Sequence, residues 1–476
     1  MIHLPSHQTK IVCTIGPASD SPEVLEQLLR SGMNVARINL AHGSLTEQRG
    51  RILRIRAAAA ASTGRVTILA DLPGPKLRIG ILPAPLTLTK GQHVRLAHLA
   101  AAQDDAIPLD IPELVHPLKR GDPVFLNDGF IALQVESVDD QGIHCQVKVG
   151  GTLVSHKGVN LPTAGVAGGA ITAHDNELMA FALDLGVDAL GISFVDSAAD
   201  VQTARQAASA MGYSPFLIAK IERKGAWHQI DAILEAADGI MVARGDLGVE
   251  VPIEDIALIQ KRLIRKAREA HKPVITATQM LESMVSNPRP TRAEVTDVAN
   301  AILDGTDCVM LSEESAVGEY PVDAVRMLGR IAQVTERARH EQPLPPMAER
   351  EHGVPSIDSV IANDVLQASE RLHPVCIVTP TQSGATAKRV ASFRLPSWIL
   401  AMSAHDEVCQ RLAFSYGVHA VTMAPADTAW EVAARDWLAA RGIEKGVVIL
   451  TQGPDQGPPG GTNRLMIIRL EQSGDL

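Results

Sequence analysis

Eight short apolar runs, starting near residues 11, 34, 66, 189, 216, 239, 273 and 308, each end in polar or charged residues and lead into a segment with helical periodicity. Runs this uniformly apolar suit strands covered on both faces, and parallel neighbours need a crossover helix. The first units are IVCTIG, NVARIN and VTILAD, separated by SPEVLEQLLRSG and by an alanine-rich helix predicted over Leu45 to Thr63. A later helix opens with TRAE, which places Thr291 at the N-cap and an acid at N3. Eight strand-helix units with short turns give the count of an α/β (β/α)8 TIM barrel, with an open doubly wound sheet as the structural alternative.

The alternation breaks once. From PGPKLRIG to about residue 163 the chain has strand-like pieces (PLTLT, HVRLAH, PVFLND, IALQVESV, IHCQVKV) and little helical periodicity. The simplest account is a small β-barrel lid domain, 73–163, inserted into a catalytic barrel made of 1–72 and 164–340. After the Pro-containing linker HEQPLPPMAEREHGVP, residues 355–476 read as a C-terminal α/β domain. Its segment GPDQGPPGGTNR lacks the GK[ST] ending of a nucleotide loop and reads as a hairpin or an anion-binding loop.

Composition narrows the partners. With 44 Lys and Arg against 54 Asp and Glu, the formal charge of −10 disfavours nucleic acid held by bulk electrostatics. Aromatic residues make up only 3%, so the core must be aliphatic. The five cysteines lie singly, without metal-like spacing, as expected of a reducing compartment. No run suits a bilayer, so the expectation is a cytoplasmic protein without a membrane partner.

The strand ends carry the chemistry. In FLIAKIERKGAWHQIDAILEAADGIMVARGDLGVE, Lys220 and Glu222 share strand parity and Asp246 follows the next strand. Arg37, Asn39 and His42 surround the end of the second strand, and Asp71 ends the third. Taken singly, each has a structural explanation: a Lys-Glu pair, Arg37 on a surface acid, Asn39 or His42 as a helix cap. Taken together, Glu222 and Asp246 offer oxygen ligands for a hard divalent cation, and zinc or iron would want His or Cys. Arg37 and Lys220 supply positive charge for a phosphoryl group, the backbone of Ala243, Arg244, Gly245 and Asp246 offers amides to a carboxylate, and Thr278 adds a hydroxyl. Arg78 and Lys157, at the edges of the insertion, are placed to face phosphates. Metal, phosphate clamp and lid favour phosphoryl transfer.

The chain resembles the pyruvate kinase family over nearly its whole length, through TKIVCTIGPAS, GMNVARINLAHG, DLPGPKLRIG, NDGFIALQV, KGVNLP, AKIERKGA, DGIMVARGDLGVE, KPVITATQMLESM, PRPTRAEVTDVANAILDGTD and VMLSEESAVGEYP. That resemblance implies transfer of the phosphoryl group of phosphoenolpyruvate to ADP, giving pyruvate and ATP, with Mg2+ or Mn2+ on Glu222 and Asp246. It implies catalytic roles for Arg37, Lys220 and Thr278, and phosphoenolpyruvate on residues 243–246. Asn39, His42, Arg78 and Lys157 would lie near the nucleotide, and the assembly would be a homotetramer.

Departures gather in one subsite. The potassium-dependent pattern has Ser at Ala41, Thr at Leu72 and Glu at Lys76. Lys76 is therefore expected to replace the charge of K+, the alternative being that Lys76 faces solvent while Asn39 and Asp71 still bind the ion. Glu313 and Ser315 stand where Gly and Thr are usual, while Glu314 keeps the expected acid. Thr379, Thr381, Ser383 and Thr386, around a helix start, suit a phosphorylated allosteric effector or ordinary turn capping. Two other classes fit parts of the pattern: a barrel enzyme acting on another enol phosphate or 2-oxo acid, and an inactive metabolite sensor.

Overall fold

The computed structural model describes residues 4–62, 65–98, 106–109, 118–127, 129–163, 169–341, 356–423, 430–453 and 461–470. Asp128, most of the linker and residues 454–460 of the glycine-rich segment lie outside the described residues.

Strands Lys10–Thr14, Met33–Asn39, Thr67–Asp71, Ala189–Ile192, Phe216–Ile221, Gly239–Ala243, Val274–Ala277 and Cys308–Leu311 close in sequence order into a parallel barrel. The eighth pairs with the first, Lys10 opposite Cys308, so the doubly wound alternative is excluded. Inward-facing Val12, Val35, Leu69, Ile218, Met241 and Ile275 are fully or almost fully buried and fill the barrel with branched and flexible aliphatic side chains.

Two apolar runs stop earlier than their composition suggests. The fourth strand ends at Ile192, and Phe194 takes φ 55°; the seventh ends at Ala277, with Thr278 and Gln279 at φ 67° and 54°. Both breaks turn the chain out of the strand direction at the carboxyl mouth of the barrel.

Helix starts follow local capping. Ser44 with Glu47, and Thr291 with Glu294, form reciprocal capping boxes. The helix after the insertion begins at Ala173, two residues before the expected Asp175, because Asp175 is the N3 acid of a box with Thr172. Between the fifth and sixth strands the expected single helix is two, Lys224–His228 and Ile230–Ala236, bent at Gln229 (φ −106°, ψ 18°).

Among the described residues the insertion holds a seven-stranded sheet and a two-stranded one around a shared aliphatic core, and an Ile79–Leu109 bridge joins the edges of the larger sheet into a nearly closed barrel. It returns to its starting point where Gly158 pairs with Arg78 and Val159 with Leu77.

Among the described residues the C-terminal domain has four parallel strands and one antiparallel strand, Arg464–Leu470. The last pair flanks the glycine-rich segment, as a hairpin requires. Helices Asp406–Arg411 and Trp430–Ala439 were not expected from the sequence. This domain caps the amino-terminal end of the barrel: Phe414 enters among the inward-facing side chains and stacks on Phe216 at 5.4 Å. The carboxyl mouth lies at the opposite end. No helix among the described residues is long and apolar enough to cross a membrane.

Candidate active site

Strands two, three and five bring Arg37, Asp71 and Lys220 to one point at the carboxyl mouth, all buried. Asp71 Oδ2 accepts from Arg37 Nε at 2.9 Å and from its Nη2, and lies 3.3 Å from Lys220 Nζ. Lys220 Nζ also reaches Glu222 Oε1 at 2.9 Å, the same-face pairing that strand parity requires. Arg37 Nη1 donates to Thr14 Oγ1 at 2.9 Å, which donates to Leu311 O and so ties the guanidinium to the first and eighth strands. Two cations and two carboxylates thus compensate one another out of water, a condition for keeping all four charged.

Burial opposes ionisation of Asp71, but Lys220 and Arg37 outweigh it and hold its carboxyl below the ordinary range. Burial likewise disfavours the Lys220 ammonium, yet Asp71 and Glu222 raise it above the ordinary lysine value. Glu222 moves the other way: burial raises it, Lys220 opposes this, and the charge of Asp246 adds to it. Glu222 and Asp246 thus feel each other's charge, although Lys220 and Lys76 are paired with them. Among the described residues there is no cluster of three or more His, Cys, Asp or Glu side chains placed to hold a metal, so substrate and water oxygens would have to complete the shell.

Ser193 was missed in the sequence reading. Its hydroxyl accepts from Lys220 Nζ at 2.7 Å and donates to Leu72 O at 2.6 Å, and the next amide, Phe194 N, donates to Glu222 Oε2 at 2.8 Å. Only the strand register sets it there: Ile192 is opposite Ala219, so the residues that follow, Ser193 and Lys220, are neighbours.

Asp246 sits in the first turn of the helix Arg244–Glu250. Lys76 does not face open solvent. Its Nζ donates to Asp246 Oδ1 at 3.0 Å, with both side chains about a quarter exposed (24% and 25%). Asp71 Oδ1 is buried without a hydrogen-bond partner among the described residues, beside Gly191, where a Cβ would come within 2.6 Å of it. Asn39 Oδ1 accepts from Ala41 N at 3.1 Å, so it also serves its own turn.

Thr278 Oγ1 accepts from Gly245 N at 2.9 Å and donates to Ala277 O at 2.6 Å. The Arg244 backbone opens this helix, but its side chain turns away to Asp297, Gln260 and the carbonyls of Ala277 and Thr278.

Of the residues expected near a nucleotide, Arg78 lies close enough to His42 to act on its charge. Arg78 ends the strand Leu77–Arg78, and Lys157 immediately precedes its partner strand Gly158–Asn160; the Ile79 amide donates to Lys157 O at 2.8 Å and Arg78 Nη1 to His156 O at 3.0 Å. Burial, and then the charges of Arg78, Arg37 and Lys76, press His42 below the usual histidine value.

Glu314 is structural. Its buried carboxylate accepts from Leu281 N at 3.0 Å and Ser312 N at 2.7 Å, while Ser315 Oγ donates to Thr14 O at 2.8 Å. In the C-terminal domain, Thr381 Oγ1 accepts from Gly384 N at 2.8 Å, Ser383 Oγ from Ala385 N at 3.4 Å, and Thr386 meets Thr462 at 2.5 Å. Thr379 Oγ1 is buried without a hydrogen-bond partner among the described residues.

Comparison with known proteins finds matches over most of the chain. Residues 6–325 match the family described as pyruvate kinase, barrel domain, and residues 359–468 match pyruvate kinase, alpha/beta domain. A pyruvate kinase of Thermococcus litoralis is 44% identical over 98% of this chain and 100% of its own length. One of Geobacillus stearothermophilus is 42% identical over 97% of this chain and 80% of its own, and one of Mycobacterium tuberculosis 39% identical over 97% and 98%. A barrel, an inserted β domain and a C-terminal α/β domain in this order, matched at that identity over nearly full length, place the chain in the pyruvate kinase family.

Proposed function

We infer that the chain catalyses phosphoryl transfer from phosphoenolpyruvate to ADP, giving pyruvate and ATP. The observation that carries this reading is the buried Arg37–Asp71–Lys220–Glu222 cluster at the carboxyl mouth of the barrel, with Asp246 and Thr278 on the neighbouring strand ends. An oxygen of the ADP terminal phosphate attacks phosphorus, the bond from phosphorus to the enol oxygen breaks, and the enolate takes a proton at carbon to become pyruvate. Arg37 is assigned to the transferring phosphoryl group, where its fork neutralises equatorial oxygens. Lys220 is assigned to the charge that moves onto the enol oxygen; its raised pKa keeps it an ammonium rather than a base. The amides of residues 243–246 receive the substrate carboxylate, and Thr278 lies on the route of the proton. Asn39, His42, Arg78 and Lys157 receive the nucleotide phosphates.

Glu222 and Asp246 would hold Mg2+ or Mn2+, which when bound offsets the negative charge that substrate and nucleotide bring together. Lys76 supports potassium-independent activity: its ammonium is already fixed in the mouth, against Asp246, while Ala41 and Leu72 lack the hydroxyls of the potassium-dependent pattern. A homotetramer in the cytoplasm and a phosphorylated effector at Thr379, Thr381, Ser383 and Thr386 belong to the same reading.

A coupled assay for ATP formation from phosphoenolpyruvate and ADP tests the reaction, and its absence in metal-replete buffer sinks the assignment. Repeating it in potassium-free buffer tests Lys76. We expect a rate within about twofold of that with K+; a many-fold loss restored by added K+ refutes the substitution.

A further inference from the structure

We propose that Arg244 is a positioning residue, which, braced by Asp297, holds Thr278 in the conformation that sets its hydroxyl against the Gly245 amide, at the backbone assigned to the substrate. The proposal rests on the reading that Thr278 acts in this reaction. Thr278 is β-branched and has φ 67°, and Gln279 follows at 54°; side chains of this kind rarely adopt the left-handed region, still less twice in succession. Something outside the turn must hold it.

The carbonyls identify the holder. In an extended strand successive carbonyls point to opposite edges, so one donor group cannot serve two in a row. Here Arg244 Nε donates to Ala277 O at 3.1 Å and Nη2 to Thr278 O at 2.6 Å. The kink at Thr278 brings these two carbonyls to one side, and a planar guanidinium is matched to the pair in a way that an ammonium is not. The other edge of the guanidinium is fixed in turn. Nη1 donates to both oxygens of Asp297, at 2.7 and 2.6 Å, and to Gln260 Oε1 at 3.3 Å. Asp297 lies on the helix Arg292–Asp304 and Gln260 on Ile256–Glu269, so the turn is referred to the two helices that flank the seventh strand.

The consequence reaches the substrate site directly. With the turn held, Thr278 Oγ1 lies 2.9 Å from the amide of Gly245, which belongs to the same backbone that is assigned to the substrate carboxylate. Were Thr278 to relax into an extended conformation, its hydroxyl would leave that amide, and the two carbonyls would lose their shared donor. Arg244 therefore acts through Thr278 and not on the substrate.

The test is a coupling measurement on the full chain. Arg244→Lys keeps the charge and loses the fork; Asp297→Asn keeps the size and loses the brace. Each is measured by steady-state kinetics with phosphoenolpyruvate and ADP, alone and combined with Thr278→Ala. In the parent background we expect kcat to fall by roughly 10- to 100-fold, the cost of a misplaced reacting group, with the KM for ADP within about twofold. In the Thr278→Ala background the further loss should be under about threefold, because the group being positioned is gone. Equal losses in both backgrounds, or no loss in the first, overturn the proposal. Should Arg244→Lys fail to fold, Asp297→Asn decides alone, since it leaves the guanidinium in place. Absence of ATP formation by the unmodified chain would instead overturn the functional reading itself, so the two failures are told apart before any variant is compared.

Discussion

At the scale of single residues the site is a problem in charge compensation. Lys220 holds two buried carboxylates at once, Asp71 and Glu222, so replacing it by Met strands charge in a place that water does not reach. Lys220→Met is expected to lower ATP formation by about 10²–10³-fold, as loss of an electrostatic stabiliser does. Because breaking a buried pair from one side costs about 3–5 kcal/mol, the melting temperature should fall as well. Mn2+ binding, read by water-proton relaxation, should survive in part, since Glu222 and Asp246 remain. Unchanged turnover would remove Lys220 from the mechanism. Charged residues at strand ends were legible from sequence because their types and parity already imply a shared site. Ser193 was not, because a serine after an apolar run has many ordinary explanations, and only the pairing of Ile192 with Ala219 sets it beside Lys220. The turning away of Arg244 was hidden for a related reason: it depends on the backbone of Thr278 leaving the strand, which no composition signal announces.

At the scale of elements, the eight barrel strands and the long capped helices could be read from the chain because apolar runs and capping boxes are local. Helix Asp406–Arg411, at six residues, is too short to show a period. Strand Val418–Thr422 carries a titration that only tertiary structure reveals. His419 on it is half-buried, its ring 5.5 Å from that of Trp437 and 6.5 Å from that of Trp398. Burial, then the positive charges of Lys10, Arg441 and Arg65, push His419 down to about 4. An unfolded histidine titrates near ~6.5, so between these two values the unfolded chain binds the extra proton. The stability due to neutral His419 is therefore fully present above the unfolded value and is lost as pH falls through the window towards 4. Replacing it by Gln removes the titration. Between pH 7 and 4.5 the melting temperature of the parent should fall further than that of His419→Gln, and parallel curves would show that His419 contributes nothing to acid sensitivity.

At the scale of the whole molecule, the barrel is finished by Phe414, a residue of the C-terminal domain that lies more than a hundred positions beyond the end of the barrel's eighth strand, Cys308–Leu311. Phe414 is fully buried among Val12, Val35, Leu69, Phe216 and Ile275, and its ring stacks on Phe216 with the planes 6° apart. Polar contacts surround this plug. Asp307 accepts from Arg394 Nη2 at 2.7 Å, Tyr416 N at 2.9 Å and Val274 N at 3.1 Å, and Lys10 Nζ donates to Val418 O at 2.7 Å. An interface filled by an aromatic ring and closed by buried hydrogen bonds has no wet alternative state of comparable free energy, so barrel and C-terminal domain should melt as one unit. Phe414→Ala removes the ring and leaves a cavity at the barrel floor, at a cost of about 3–5 kcal/mol. The tryptophans make the coupling measurable: Trp227 belongs to a barrel helix, whereas Trp398, Trp430 and Trp437 belong to the C-terminal domain. With Trp227 replaced by Phe, fluorescence reports the C-terminal domain and far-ultraviolet circular dichroism reports the whole chain. Adding Phe414→Ala should lower both midpoints together, because the lost contacts stabilise both partners equally. A fluorescence midpoint that stays where it was while the dichroism midpoint falls would mean that the C-terminal domain folds without the barrel, and that Phe414 is a passenger in the barrel floor instead of its keystone.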